Sequence, residues 1–244
     1  MGNAPRIPRI IHYCWYGGAP LSELSRRCVE TWRAVMPDFA YEKWDEGRLD
    51  RSIPYVDQAY RARRFAFVAD YMRMKVLHEH GGVYLDTDME VMRSLDALLD
   101  DQLFMGFQAP DSIGCGVIGA VKGHPFLRAV LDRLDDEARR GKPSYQPIPE
   151  LVSGLMKGAR SSGATLFPEE YFYPYNPYSP VLIRRKPLQS NMTERTYAIH
   201  HWEGAWLGES SLSMMIGLRA KAVMRKINPA RWRIPALQSE ALRP

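Results

Sequence analysis

Two aspartates separated by one residue are the strongest candidates for chemistry in this sequence. Asp86 and Asp88 follow directly on the apolar run Val83-Tyr84-Leu85, which is too short for a helix and predicts a buried strand. Ligands of open α/β sheets bind outside the carboxyl ends of the strands, and paired carboxylates there suit Mg²⁺ or Mn²⁺ that bridges phosphate groups. The triplet alone leaves a second interpretation open, in which both carboxylates cap backbone amides in a turn.

A charged pair lies in the apolar segment that precedes these aspartates. Asp70 and Arg73 are three residues apart in a predicted helix, so they share one helix face. The pair is either a structural ion pair, which is common at this spacing, or a pair that grips a substrate.

Histidines and tryptophans supply the remaining candidates. His200 and His201 stand beside Trp202, with Trp206 four residues further on. A neutral imidazole is a common ligand of divalent metals and would complete the site that the aspartates begin. The alternative is one buried, hydrogen-bonded histidine beside a surface one. Trp15, at the end of a predicted strand, either stacks on a base or belongs to the core.

The elements that must position these residues begin with a β-α-β unit. The residue pattern predicts a strand over residues 9–15, a helix over 22–36 and a strand over 39–44. Such a unit predicts a parallel strand pair and an α/β fold.

The next segment leads straight to the two aspartates. Apolar residues at three- and four-residue steps predict one long helix from Asp57 to His80, which Gly81 and Gly82 close before the strand at 83–85. Further along, the patterns predict strands at 103–107 and 116–121, a helix at 125–139, irregular loops over 141–190, and one or two helices over 210–232.

The composition is that of an ordinary globular protein. The chain has 244 residues, of which 45% are hydrophobic and 25% charged. Its 3 cysteines have no paired spacing, which indicates free thiols rather than a disulfide scaffold or a zinc site. No apolar run approaches the ~20 residues of a membrane span, and no leader-like segment stands at the start. We therefore expect a cytoplasmic protein.

Several enzyme classes lose their usual sequence support. The chain has no Gly-x-x-x-x-Gly-Lys-Ser/Thr phosphate loop and no Gly-x-Gly-x-x-Gly fingerprint, which counts against P-loop kinases and dinucleotide-dependent dehydrogenases. It also has no Gly-x-Ser-x-Gly elbow, which counts against an α/β-hydrolase.

The net charge of +5 is concentrated near the end of the sequence. Residues 211–244 contain seven basic residues and one acidic residue, so the rest of the chain is slightly negative. Because no basic stripe runs along the whole chain, we expect no nucleic-acid partner. Residues 211–233 combine apolar and basic residues, as does an amphipathic helix on an anionic membrane. A peripheral contact with the inner membrane face and packing on the rest of the protein both stay open.

Four segments, taken in this order, resemble glycosyltransferase family 32. Members of that family are DXD sugar transferases of the capsular-polysaccharide and mannosyltransferase type, and they are related to the clostridial toxin glucosyltransferases. The segments are residues 7–18, 69–73, 81–88, and 200–202 with Trp206. The resemblance implies a GT-A type α/β fold over residues 1–210, with a single Rossmann-like mixed sheet flanked by helices, followed by a basic tail over 211–244.

The resemblance also implies a reaction and a set of site residues. A sugar would pass from a UDP- or GDP-sugar donor to a saccharide or lipid-linked saccharide acceptor, with Mn²⁺ or Mg²⁺ as cofactor and retention of anomeric configuration. For this outcome we expect a front-face displacement. The catalytic residues implied are Asp70, Arg73, Asp86 and Asp88; the nucleotide-sugar contacts are Cys14, Trp15, Tyr16, Asp70, Arg73, Asp86 and Trp206; the metal ligands are Asp86, Asp88 and His201.

Two other functions stay open on the sequence. A nucleotidyltransferase or a nucleotide-sugar hydrolase would also use a metal on a similar sheet. A module that binds a nucleotide sugar without catalysis would need the same fold, but it has little need of both carboxylates of Asp86 and Asp88.

Overall fold

A computed structural model describes residues 6–141, 143–158, 163–177 and 191–203. All of these except Pro177 belong to one compact unit. The predicted boundary at residue 210, the basic tail over 211–244 and the helices predicted at 210–232 lie outside the described residues.

The described part of the chain contains both strands and α-helices. The strands are β1 (Ile10–Cys14), β2 (Ala40–Trp44), β3 (Gly82–Leu85), β4 (Met89–Val91), β5 (Leu103–Ala109), β6 (Ser112–Ala120), β7 (Ala164–Phe167) and β8 (Ala198–His200). The α-helices are α1 (Glu23–Val35), α2 (Pro54–Arg61), α3 (Phe65–His80), α4 (Pro125–Arg139), α5 (Ile148–Gly158) and α6 (Glu169–Phe172).

The central sheet is mixed and has six strands in the order β2-β1-β3-β6-β5-β7. Strand β1 pairs in parallel with both β2 and β3, as the β-α-β start predicts. Strand β6 runs antiparallel to β3 and β5, and β7 runs parallel to β5. A separate two-stranded sheet joins β4 to β8. The carboxyl ends of β1, β2 and β3 therefore meet at one sheet edge, where the two aspartates follow β3.

Apolar side chains are buried on both faces of the sheet. In β3, Val83 and Leu85 belong to a core cluster that includes Trp32 of α1, whereas Tyr84 belongs to a cluster with residues of α3 and α4. This alternation is the two-residue period of a strand that is covered on both faces. The three cysteines are free and buried, as expected. In the part of the chain that the structure describes, no helix is long and apolar enough to cross a membrane.

The prediction of one helix from Asp57 to His80 is wrong, because the chain turns between α2 and α3. The Arg63 amide donates to the Tyr60 carbonyl and the Arg64 amide donates to the Ala59 carbonyl, both at 2.9 Å. This bond pair is the Schellman arrangement that ends helices. Arg63 takes the left-handed conformation that the arrangement requires, with φ of 55°. No glycine or proline marks this end in the sequence.

The expectation of irregular loops over 141–190 is also wrong in part. This segment contains α5, β7 and α6, and β7 extends the central sheet beside β5. Aromatic side chains of the segment supply the packing, since Phe167 stacks on Tyr171 and Phe172 stacks on Phe104 of β5. Tertiary burial therefore orders residues whose proline-rich pattern predicts loops.

Candidate active site

The first aspartate of the pair lies where β3 meets β6. The Asp86 amide donates to the Gly116 carbonyl at 2.9 Å, which ties the end of β3 to its neighbour. A Cβ on Gly116 would lie 3.1 Å from Asp86 Oδ2 and 3.3 Å from the Tyr173 hydroxyl. The glycine thus leaves room for the carboxylate at the sheet edge.

A buried arginine joins helix α3 to Asp86. The Arg73 guanidinium lies 2.9 Å from Asp70 Oδ1 and 3.3 Å from Asp86 Oδ1, and it donates to the Cys115 carbonyl at 2.7 Å. Arg73 is 6% exposed and Asp70 is 8% exposed. The pair on α3 is therefore more than a local ion pair, because it also contacts the first aspartate of the motif.

Burial and aromatic contacts shape the electrostatics of this cluster. Burial raises the pKa of Asp70 to about 7, although Arg73 acts in the opposite direction. The Tyr84 hydroxyl donates to Asp86 Oδ1 at 3.0 Å. Tyr84 also presents its ring to the Arg73 guanidinium, 4.7 Å from the ring centroid.

The second aspartate meets the end of β8. In the β4–β8 pair His200 lies opposite Met89, which brings the His200 Nε2 to 3.2 Å from Asp88 Oδ1. The Glu203 amide donates to Asp88 Oδ2 at 2.9 Å. Burial alone would raise the pKa of Asp88, but the His200 imidazole and the Glu203 amide outweigh it and lower that pKa.

Asp86, Asp88 and His200 form a group with the chemistry of a divalent-metal site. One ligand atom from each lies within 4.8 Å of the others, and no other such group of three occurs among residues 6–141, 143–158, 163–177 and 191–203. The His200 Nδ1 is buried and has no hydrogen-bond partner within these residues. Two carboxylates and an imidazole suit Mg²⁺ or Mn²⁺. The residues present therefore fit the expected ion.

The structure places His200, rather than His201, beside the aspartates. The His201 Nε2 lies 2.7 Å from Glu90 Oε2, on a different carboxylate. Successive residues of an extended chain point to opposite sides, so only one of the two adjacent histidines faces Asp88. The metal role expected for His201 does not match this geometry, and a sequence with two adjacent histidines carries no signal that chooses between them.

The predicted nucleotide contacts at the end of β1 have different environments. Trp15 is partly exposed, and its indole Nε1 donates to the Ala19 carbonyl at 2.6 Å. Cys14 and Tyr16 are buried in the core cluster with α3. Burial raises the pKa of the Cys14 thiol to about 12 and also raises that of Tyr16. Trp15 alone of these three offers side-chain surface at the sheet edge; Trp206 lies outside the described residues.

Three residues that support the site were not singled out from the sequence. The Tyr173 hydroxyl accepts from the amides of Gly116 and Val117 at 2.9 and 3.1 Å. Glu203 accepts from the hydroxyls of Ser22 and Ser25, which ties the segment after β8 to the start of α1. Of Tyr173, Glu203 and Tyr84, only Tyr84 could have been found from the local sequence, because it lies two residues before Asp86 on the same strand.

Comparison with known proteins supports the family resemblance found in the sequence. Residues 22–105 match the family model described as glycosyltransferase sugar-binding region containing DXD motif. The match includes Asp70, Arg73, Asp86 and Asp88. The match over residues 22–105 confirms the resemblance to DXD glycosyltransferases that is expected from the sequence.

Two similar curated proteins are yeast enzymes, one named as a mannosyltransferase and the other as a synthase. Over 140 residues the chain is 31% identical to inositol phosphoceramide mannosyltransferase 3 of Schizosaccharomyces pombe, which covers 52% of this chain and 37% of that protein. It is 28% identical to mannosyl phosphorylinositol ceramide synthase CSH1 of Saccharomyces cerevisiae, over 58% of this chain and 39% of that protein. The chain thus spans less than half the length of these relatives.

A solved structure supports the fold class. The PaToxG glycosyltransferase superposes with a TM-score of 0.51 at 15% sequence identity, over 64% of this chain and 70% of that chain. At this identity the likeness concerns the fold. The expected GT-A class, a mixed sheet flanked by helices, is confirmed.

Proposed function

We propose that this protein transfers a sugar from a nucleotide-sugar donor to a saccharide or glycolipid acceptor, with a divalent metal ion as cofactor. The observation that supports this most is the group of Asp86, Asp88 and His200 at the edge of the sheet, next to the Arg73–Asp70 pair. A diphosphate leaving group needs its negative charge neutralised, and this edge is where ligands of α/β sheets bind.

Asp86, Asp88 and His200 would hold the Mn²⁺ or Mg²⁺ ion. When bound, the ion supplies Lewis-acid stabilisation of the diphosphate. Arg73 positions Asp86, because its guanidinium contacts that carboxylate from a buried location. Glu203 positions Asp88 through its amide hydrogen bond.

Asp70 and Trp15 would contact the donor itself. Asp70 orients sugar hydroxyls by hydrogen bonding, since its pairing with Arg73 fixes its carboxylate. Trp15 stacks on the nucleobase with the exposed part of its indole, which the hydrogen bond to Ala19 holds in place. Cys14 and Tyr16 support Trp15 from the core, where both side chains are buried.

For the retention that the family resemblance implies, the assignment of these carboxylates supports a front-face displacement over a double displacement. Asp86 and Asp88 are assigned to the ion, and Asp70 is paired with Arg73, so none of the three is available as a nucleophile on the opposite face of the sugar. In the displacement, the acceptor oxygen bonds to the anomeric carbon as the bond to the diphosphate oxygen breaks. The acceptor hydroxyl proton passes to that departing oxygen.

The acceptor and location belong to the same proposal. The names of the two yeast relatives refer to inositol phosphoceramide and to mannosyl phosphorylinositol ceramide, both of which are lipids. We propose a lipid-linked or glycolipid acceptor here as well, met at the cytoplasmic face of a membrane by the basic residues of 211–233.

Product analysis with an Asp88→Asn variant tests the proposal. The wild-type protein, with Mn²⁺, a nucleotide sugar and a glycolipid acceptor, should form a glycosylated acceptor, and the variant should form less than about a tenth as much, equivalent to ~1.4 kcal/mol of barrier. Asp132→Asn, an exposed change on α4, is the matched control and should keep full activity. Free sugar without glycosylated acceptor would instead identify a hydrolase, and near-normal transfer by Asp88→Asn would contradict the metal role.

A further inference from the structure

A second feature of the sheet edge is an open groove beside the end of β1. Its volume is about 380 Å³, and it is lined by Gly17, Gly18, Glu46, Tyr60, Arg63 and Phe65. Gly17 and Gly18 directly follow Trp15 and Tyr16, so the groove adjoins the segment assigned above to the nucleobase. One wall is aromatic, because Tyr60 and Phe65 pack edge to face on each other with centroids 5.5 Å apart. A flat, aromatic occupant suits such a wall.

One acidic side chain is held at this groove. Glu46 follows the end of β2, and its Oε1 accepts a hydrogen bond from the Gly17 amide at 2.6 Å. A Cβ on Gly17 would lie 2.9 Å from the Phe65 ring, so a glycine is required where the backbone passes between the ring and Glu46. The carboxylate is therefore oriented by the backbone of the groove itself.

One basic side chain also lines the groove, from a strained position. Arg63 holds the left-handed site of the Schellman turn between α2 and α3, with φ of 55°. Glycine usually occupies this site, because a Cβ there is unfavourable. Its guanidinium carbon lies 5.8 Å from the Phe65 ring centroid. Among the described residues no ion pair joins Arg63 to Glu46, so both charged groups are available to a ligand of the groove.

Resting on the proposed function, we infer that this groove selects guanine, so that the donor is a guanosine-diphosphate sugar. Guanine has two adjacent donors, N1–H and N2–H₂, that match the two oxygens of one carboxylate, and it has two acceptors, O6 and N7, for a guanidinium. Glu46 binds the donor edge and Arg63 binds the acceptors. The aromatic wall contacts the guanine ring.

The other bases fit this pair of charges less well. Uracil has a single N–H flanked by two carbonyl oxygens, which a carboxylate repels. Adenine and cytosine each present an amino group beside a ring acceptor, so only one donor meets Glu46. Hypoxanthine is the sharpest comparison, since it keeps O6, N7 and N1–H and lacks only the 2-amino group.

Binding of nucleoside diphosphates to the full chain with Mn²⁺ tests the inference. Calorimetric affinities for GDP, IDP and UDP should show GDP binding more tightly than both others, by roughly 5- to 150-fold for a two-bond base contact. Glu46→Gln should bring GDP affinity down to that of IDP, because an amide offers one acceptor. The Gly17 hydrogen bond remains available to the glutamine. Glu30→Gln, exposed on α1, is the matched control and should keep the GDP preference.

Arg63→Gly separates recognition from folding. This variant removes the guanidinium and relieves the left-handed backbone, so GDP affinity should fall while the melting temperature does not. UDP binding as tightly as GDP, or an unchanged ratio of GDP to IDP affinity in Glu46→Gln, overturns the guanine assignment and leaves the sugar-transfer proposal standing. Failure of all three diphosphates to bind in the presence of Mn²⁺ overturns both.

Discussion

Replacing Asp70 with asparagine should change how the stability of the protein depends on pH. Burial raises the pKa of this carboxyl from 3.8 to about 7 in the folded protein. The folded state therefore keeps the proton to a higher pH than the unfolded state does. The stabilising contribution of the neutral carboxyl is full below pH ~4 and is lost as the pH rises through ~7.

The size of this loss follows from the difference between the two pKa values. Each pKa unit corresponds to about 1.4 kcal/mol, so a shift of about three units gives a loss of about 4 kcal/mol between pH 4 and pH 8. The amide side chain of Asp70→Asn cannot ionise, and the variant should lack this decline. Arg73 keeps its contact with Asp86 in the variant, so the buried guanidinium retains one carboxylate.

Urea unfolding at several pH values, in the presence of a chelator, measures this difference. The free energy of unfolding of the wild type should fall relative to that of Asp70→Asn as the pH rises from 4 to 8. Other titrating groups are common to both proteins and cancel in the comparison. Asp132→Asn should run parallel to the wild type. If Asp70→Asn also runs parallel, the carboxyl ionises at its ordinary pKa and the account of the buried cluster is refuted.

Two further substitutions test the end of β1 and its surroundings. Trp15→Ala should weaken nucleotide affinity by ~1–3 kcal/mol, as loss of base stacking does elsewhere, with little change in melting temperature; a large fall in stability at unchanged affinity would make it a core residue. His12 is buried and accepts from the Trp44 indole at Nδ1, so its Nε2 carries the proton donated to Gly81, and burial lowers its pKa. The stabilising contribution of the neutral His12 is present above pH ~6.5 and is lost as the pH falls. His12→Asn should therefore flatten the acid side of the dependence of unfolding free energy on pH. An unchanged dependence would contradict the assignment of a neutral imidazole to His12.

The sequence predicts the parts of the fold that local patterns determine. The short apolar run before Asp86 gives β3, and the β-α-β start gives the parallel pair that aligns its end with β1. The end of α2 has no such pattern, because Arg63 adopts a glycine-type conformation there. Strand β7 depends on aromatic contacts between distant residues, which a local pattern does not contain.

The candidate site also contains residues that local sequence predicts and one residue that depends on tertiary structure. Asp86 and Asp88 are evident from their place after a strand, and Asp70 with Arg73 from their helical spacing. The choice of His200 over His201 depends on the register between β4 and β8, two short strands about 110 residues apart in sequence. Pairing of such distant strands is fixed by tertiary structure, so the sequence narrows the ligand only to a pair of histidines.

Titration with Mn²⁺, followed by the loss of the free-ion electron paramagnetic resonance signal, tests most directly whether Asp86, Asp88 and His200 bind a metal. The wild type should bind one ion at this site, and His200→Ala should weaken binding by more than about tenfold, since even outer partners of metal ligands contribute that much. His201→Ala, the matched control one residue away, should bind close to normally. Stronger loss in His201→Ala than in His200→Ala, or unchanged binding in both, would contradict the site.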